Sequence, residues 1–580
     1  MKTSLKKIFM ALSLLTLWTV AAFGQPAKGK LSKDLNESDG EKFVDIIVQF
    51  TPGTKGKSKE KDKVDDDAKG KGGTVVKHFN AVNAAVYRVQ AKSLKGLANN
   101  PNISFMTPDR PVLMNLEYAN PTVGADIARN YGWDGSGIGV AVIDSGIYPH
   151  QDLKNGSGAT RVVYSQNFVP GESSTADLYG HGTHVAGIVG GNGSMSNGGN
   201  NTFTFTGIAP NVNLVNLRVL NNQGAGMDSS VISAIERAIE LKSAYNIRVI
   251  NLSLGRQVME SYLTDPLCQA VEAAWNAGIV VVVAAGNRGR DNSMGTRGYG
   301  TIGSPGNDPY VITVGAMRDM SSTTRADDRM ASYSSKGPTA VNQIVKPDLV
   351  APGNRIVSTL SPGSYLQTMH PGNVVPVSYY KSGSTAGIAS GYIRLGGTSM
   401  ATPMVAGAAA LLLQKDPTLS PDAVKARLMK TTTKAFPTLS TFSSLSIGST
   451  YTIQYDIFTV GAGYLDVWGA LNNTDVVAAG KRALSPKAIK NPLTGLVSLS
   501  VLWGDSVLWG ETVLWGESML WGQSMVWGTS VVMASSVLWG DSVLWGDTTF
   551  AGSSVLWGNT VLWGDASLFP TAVSVDGDDQ

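Results

Sequence analysis

The sequence predicts an α/β protein: a mostly parallel sheet with helices on both faces, preceded by a small α+β domain and followed by a β-rich repeat. Three observations predict this. Apolar runs such as Ile138–Ile143 and Ile279–Ala285, broken at most by glycine, read as strands buried on both faces. Helical periodicity over Ser229–Leu241 and Asp265–Ala277 alternates with such strands, as a parallel sheet requires. After Val501 a six-residue unit of the form Ser-Val-Leu-Trp-Gly-Asp recurs without a gap. The 580 residues are too many for one core, and 43% hydrophobic with 16% charged residues excludes a chain that stays disordered throughout. A formal charge of +3 is too balanced to suggest a nucleic-acid partner, and none is expected.

Lys2, Lys6 and Lys7 precede an apolar run from Ile8 to about Ala22, and Ala22-Phe23-Gly24 carries the small residues a signal peptidase reads. Residues 1–24 are therefore expected to be a cleaved signal peptide and the protein to be secreted or extracellular. About 15 apolar residues fall short of the roughly 20 that span a bilayer, and no later stretch is long enough either. The single cysteine, Cys268, excludes an intramolecular disulfide.

Residues 25–117 form the small α+β region. Val44–Phe50 and Ala81–Val89 read as strands and Ser93–Ala98 as a short helix. Between the strands, Lys55–Gly73 holds seven Lys and five acidic residues with almost nothing apolar, so it reads as solvated or loosely helical. Residues 118–480 form the main domain, where Val212–Leu220 and Arg248–Ser253 add two strands interrupted by asparagines. Gly461–Asp466 and the apolar helix after it close that domain. Residues 481–500 read as a linker, 501–566 as the repeat and 567–580 as a C-terminal tail.

Four positions in the main domain carry chemistry. Asp144 ends the strand of Gly-Val-Ala-Val-Ile-Asp-Ser-Gly, where open α/β sheets place ligands. His181 opens a small-residue helix in Gly-His-Gly-Thr-His-Val-Ala-Gly; His184 beside it reads as a hydrogen-bonded packing residue, since no Glu or Cys completes a zinc set. Asn287 ends the strand beginning at Ile279. Ser399 lies at the start of a buried Gly/Ala/Leu helix, where free N–H groups stabilise a developing anion. Singly these are a turn aspartate, a core histidine, a turn asparagine and an N-cap serine. Together they supply a nucleophile, a base, an acid to orient the base and an oxyanion donor.

These motifs identify residues 124 to about 475 as resembling a subtilisin-like serine endopeptidase. Val142-Ile-Asp-Ser-Gly146, His181-Gly-Thr-His-Val-Ala-Gly187, Ser253-Leu-Gly255, Ala284-Ala-Gly-Asn287 and Gly397-Thr-Ser-Met-Ala-Thr-Pro403 all match, in order. The resemblance implies a catalytic triad of Asp144, His181 and Ser399, with Asn287 in the oxyanion hole and no cofactor for catalysis. It implies protein or peptide substrates laid as an added strand between Gly224-Ala225-Gly226 and Ser253-Leu254-Gly255. Asp152 resembles a structural calcium ligand of the family, although the Gly191–Thr206 loop is longer and richer in Gly and Asn than that site needs. The region before the enzyme resembles an inhibitory propeptide, through Val44–Phe50, Phe79–Val82 and Pro101–Asp109. It is expected to occupy the cleft until the enzyme cuts between about Val112 and Ala119. An insertion is expected near Ser358–Tyr392.

The repeat places Trp503, Trp509, Trp515, Trp521, Trp527, Trp539, Trp545, Trp557 and Trp563 at one period. Gly-Asp and Gly-Glu suit two-residue II′ turns, so four-residue strands in a meander are expected, with a stacked solenoid as the alternative. The indoles either pack with Val and Leu as a core or contact glycan or a cell surface. Similar hexads occur at the C-termini of some bacterial subtilisin-like proteases. A different class of function, a surface-binding protein with an incidental protease domain, rests on those indoles.

Overall fold

The computed structural model describes residues 30–31, 35, 40–51, 57–78, 84–108 and 116–490, without 294, 384–386, 438, 445–448 and 478–480, and further on 497–500, 507–508, 514–515, 518–520, 525–528 and 543–545. The expected signal peptide, the Phe79–Val82 motif, the first half of the expected self-cleavage segment and most of the hexads lie outside these residues.

The chain divides into two compact units, residues 1–113 and 114–580. The first contains β1 (Phe43–Phe50), α1 (Lys57–Gly70), β2 (Thr74–His78), β3 (Ala84–Gln90), α2 (Leu94–Ala98) and β4 (Ile103–Pro108). Its antiparallel sheet has the order β2-β3-β1-β4. Alternate residues Ile46, Val48 and Phe50 point into a core with Tyr87, Leu94 and Met106, as a period of two requires. The Lys-rich stretch is more ordered than its composition suggests. Val64 and Ala68, four apart on α1, are buried in this core, and Asp65 accepts the Tyr87 hydroxyl at 2.6 Å.

The second unit is built on β5 (Gly139–Asp144), β6 (Val162–Asn167), β7 (Asn213–Arg218), β8 (Ile247–Leu252), β9 (Val280–Ala284), β10 (Ile312–Arg318), β11 (Arg329–Met330) and β12 (Leu349–Pro352). The order is β11-β10-β9-β8-β5-β7-β6, with β12 also on β10; every pairing is parallel except β10 with β11. The subtilisin-like α/β expectation of a mostly parallel sheet is met. On one face lie α3 (His181–Gly190) and, packed directly on it, the long α7 (Thr398–Lys415); on the other lie α4 (Asp228–Glu240) and α5 (Pro266–Asn276). The helix α6 (Tyr365–Met369) sits in the loop between β13 (Ile356–Thr359) and β14 (Tyr392–Leu395), an antiparallel hairpin that spans the Ser358–Tyr392 stretch where an insertion is expected.

Two expectations are corrected. Residues 481–490 are not a linker. Ala483 and Ala488 are buried, Ala483 donates its N–H to Asp422 at 2.6 Å, and Ser485 bonds both Lys425 and Asp348, so the catalytic unit runs through Lys490. In the repeat, Val507–Leu508 pairs with Leu514–Trp515, and Ser518–Leu520 pairs with Met525–Gly528. The connections are therefore longer than two residues. This register sets Val507 across from Trp515. Val543–Trp545 joins the second pair in parallel.

Candidate active site

All six residues of β5 are buried, so the Asp144 carboxylate that ends it must find partners within the protein. Its Oδ1 accepts the Ser145 N–H at 2.7 Å and lies 2.8 Å from His181 Nδ1. His181 is the first residue of α3, and the chain enters that helix through Gly180 at φ 103°. A Cβ on Gly182 would lie 2.2 Å from the Gly146 carbonyl oxygen, so glycine is what lets the helix start meet the end of β5.

A residue that the motif reading overlooked holds this junction together. Buried Asp177 accepts the Gly180 N–H at 2.7 Å and the Ser145 hydroxyl at 2.8 Å on one oxygen, and the Thr183 N–H at 2.8 Å on the other. Burial pushes its pKa up, against the pull of those hydrogen bonds. An acid shortly before the first turn of a helix is a capping signal, and it could have been read from Asp177-Leu-Tyr-Gly-His. The Ser145 hydroxyl in turn accepts the Gly182 N–H at 2.9 Å.

Ser399 is the second residue of α7. Its hydroxyl donates to the Ser253 carbonyl at 3.1 Å, and the Ser253 hydroxyl donates back to the Ser399 carbonyl at 2.8 Å. His181 Nε2 is buried without a hydrogen bond. Asn287 Oδ1 accepts both the N–H and the hydroxyl of Thr398, at 2.9 and 3.1 Å. Those bonds fix the amide flip, which puts the donor Nδ2 beside Gly397; a Cβ there would stand 3.0 Å from it. The Thr398 hydroxyl also accepts the Gly286 N–H at 3.1 Å, so the Asn287 strand end and the Ser399 helix start are tied twice.

Residues 135–446 match the model described as the subtilase family. This chain belongs to that family. Serine protease AprX of Bacillus subtilis (strain 168) is 38% identical to it over 368 residues, 61% of this chain and 75% of that protein. Subtilisin E of the same strain is 33% identical over 434 residues, 74% and 94% of the two chains, and subtilisin DY of Bacillus licheniformis is 38% identical over 319, 55% and 92%. The subtilase described here is thus a serine endopeptidase of the subtilisin type, and its substrates are proteins.

The two segments expected to hold substrate follow β7 and β8, the two neighbours of β5, and so flank Asp144 in this subtilase. Gly226 is required by space, since a Cβ would lie 2.5 Å from the Val219 carbonyl oxygen. The N–H and C=O of Ala225 both close on Asn221, at 3.0 and 2.8 Å, so this middle residue shapes the turn from within. Leu254 is fully buried and Gly255 partly so.

His184 is a structural residue. Its Nε2 donates between the carbonyls of Ile356 and Ile393, at 3.0 and 3.1 Å, and so holds the β13–β14 hairpin on α3. Burial, helped by the neighbouring His181, pulls its pKa down to about 3. The thiol of Cys268 is buried 3.4 Å from Asn307 Oδ1, and burial raises its pKa well above the ordinary value, so it packs rather than reacts.

Asp152 does not fit the calcium ligand role that the resemblance implied. One oxygen accepts the Met195 N–H at 2.8 Å and the Ser194 hydroxyl at 3.1 Å, and the other accepts the Tyr392 hydroxyl at 2.6 Å. Hydrogens, not lone pairs, face this carboxylate; the long 191–206 loop brings two of the donors and β14 the third. Among the described residues no helix is long and apolar enough to cross a membrane.

Proposed function

We propose that this subtilase is exported, is made as a self-processed zymogen, and cleaves proteins through an acyl-enzyme formed on Ser399. The observation that carries the reading is the 2.8 Å contact between His181 Nδ1 and the buried Asp144, at the end of the sheet where Ser399 opens α7. Asp144 holds the imidazole with Nδ1–H toward itself, leaving Nε2 as the base. Nε2 takes the proton of the Ser399 hydroxyl as Oγ attacks the scissile carbonyl. Asn287 Nδ2 and the Ser399 N–H stabilise the oxyanion. The imidazolium then gives its proton to the departing amine, and a water, deprotonated by the same nitrogen, releases the acyl group.

Residues 25–117 act in this proposal as an intramolecular inhibitor, and the region's compact four-stranded sheet is compatible with that role. Export rests on the lysines and apolar run at the start of the chain. The hexad tail takes no part in catalysis and contacts a glycan or cell surface. Ser399→Ala tests the central reading. The size is carried over from subtilisin, where this loss costs about 2 × 10⁶ in kcat. The variant should also accumulate as an unprocessed precursor; normal maturation would sink self-processing. Removing residues 495–580 should leave peptide hydrolysis unchanged and abolish surface retention.

A further inference from the structure

We propose that Asp319 and Asp328 form the binding site of one hard, oxygen-seeking cation, at the open end of the β10–β11 pairing and separate from Asp152. Antiparallel register sets Met317 against Met330 and Arg318 against Arg329. The pairing ends there, and Asp319 and Asp328 are the next residue on either side, near enough for the Asp319 charge to act on Asp328. Two such carboxylates repel, and both are withdrawn from water, at 3% and 2% exposure.

Among the described residues neither acid forms an ion pair, and Arg318 and Arg325 act on them only through their longer-range charge. Asp319 Oδ2 and both oxygens of Asp328 are buried without a well-formed hydrogen bond, while Asp319 Oδ1 accepts the Ser321 N–H at 3.2 Å. Arg325 reaches Asp466 at 3.1 Å instead, and Arg329 donates to the Asp328 backbone carbonyl. A further, uncharged oxygen is present. The Tyr464 hydroxyl, 1% exposed, lies against Asp328. Asp327, whose side chain accepts the Ser322 hydroxyl at 2.8 Å, adds negative charge nearby. Three buried carboxylate oxygens without well-formed hydrogen bonds, and no nitrogen or sulfur donor named beside them, match the ligand preference of calcium rather than of zinc. A cation would satisfy these atoms together and turn a repulsion into a clamp that closes the 320–327 turn.

The competing arrangement keeps the two acids neutral with protons, and asparagine separates the two because it resembles a protonated carboxyl. The test uses the full chain carrying Ser399→Ala, to prevent autolysis, in chelator and in millimolar CaCl2. Calcium should raise Tm by about 5 °C, and Asp328→Asn should remove that part of the rise. Terbium emission excited through tyrosine should appear, be displaced by calcium, and vanish in Asp319→Asn and in Tyr464→Phe, so the site is read even where Asp328→Asn folds poorly. A calcium response identical in parent and Asp328→Asn, or no terbium signal dependent on Asp319, would overturn the proposal.

Discussion

The Thr398 N–H donates to Asn287 Oδ1 at 2.9 Å, so the residue just before the serine sets which way the asparagine amide points. The nitrogen is thereby the end presented beside Gly397. Asn287→Ala should lower kcat and leave KM within about threefold, because the lost bond forms only as the oxyanion develops. The size is again carried over from subtilisin, where removing one such donor costs about 10²–10³. Steady-state kinetics on a peptide substrate check this, and a change confined to KM would remove Asn287 from the oxyanion role.

Asp177 gathers three parts of the site, Gly180, Ser145 and Thr183. Asp177→Ala would leave the N–H groups of Gly180 and Thr183 buried and unpaired, which costs about 1–3 kcal/mol each. Urea unfolding of Ser399→Ala with and without the second change should show a loss of about 2–4 kcal/mol. A loss under about 0.5 kcal/mol would show that the junction does not depend on it.

His184 makes stability depend on pH in a defined window. Its pKa is about 3 when folded and near 6.5 when unfolded, so between those values the unfolded chain binds the extra proton. Its contribution is therefore complete above about pH 6.5 and declines by roughly 1.4 kcal/mol per unit as pH falls toward 3. His184→Gln should be less stable than the parent at pH 7, and the gap should narrow by about 2 kcal/mol at pH 5. A gap that stays constant would deny the neutral, buried state.

The β13–β14 insertion lays an aromatic ring close to the catalytic centre. Tyr365 stacks on Tyr179 with centroids 5.8 Å apart, and Tyr179 lies 6.4 Å from His181; the Tyr365 N–H donates to the Leu178 carbonyl at 2.9 Å. Tyr365 is 43% exposed. Tyr365→Ala should raise KM about three- to tenfold for peptides with a large apolar residue beside the scissile bond, with kcat nearly unchanged. Equal losses on apolar and small-residue peptides would mean the ring only supports the loop.

Much of this was legible in the sequence because it is local. The strands ending at Asp144 and Asn287 and the helix opening at Ser399 are continuous apolar segments with turn residues at their ends. The tail of the catalytic unit was not legible. Lys481, Arg482, Pro486 and Lys487 read as a polar linker, and only the tertiary fold brings Ser485 to Asp348 and Lys425, 137 and 60 residues away. The α1 helix was half-hidden for the same reason: two small apolar residues among ten charges suffice when a sheet is there to receive them. The Asp319–Asp328 pair escaped because β10 and β11 pair across a turn that no motif marks.

The helix α7 carries a further consequence. It is 18 residues long, about 27 Å, and Thr398 through Leu413 are all buried. The nucleophile thus rides on the end of a beam cast into the middle of the core, rather than on a loop that can loosen by itself. Heat cannot disable this enzyme in small steps: loss of peptide-bond cleavage and collapse of the whole second unit should be a single event on warming, with no dead but still folded species in between.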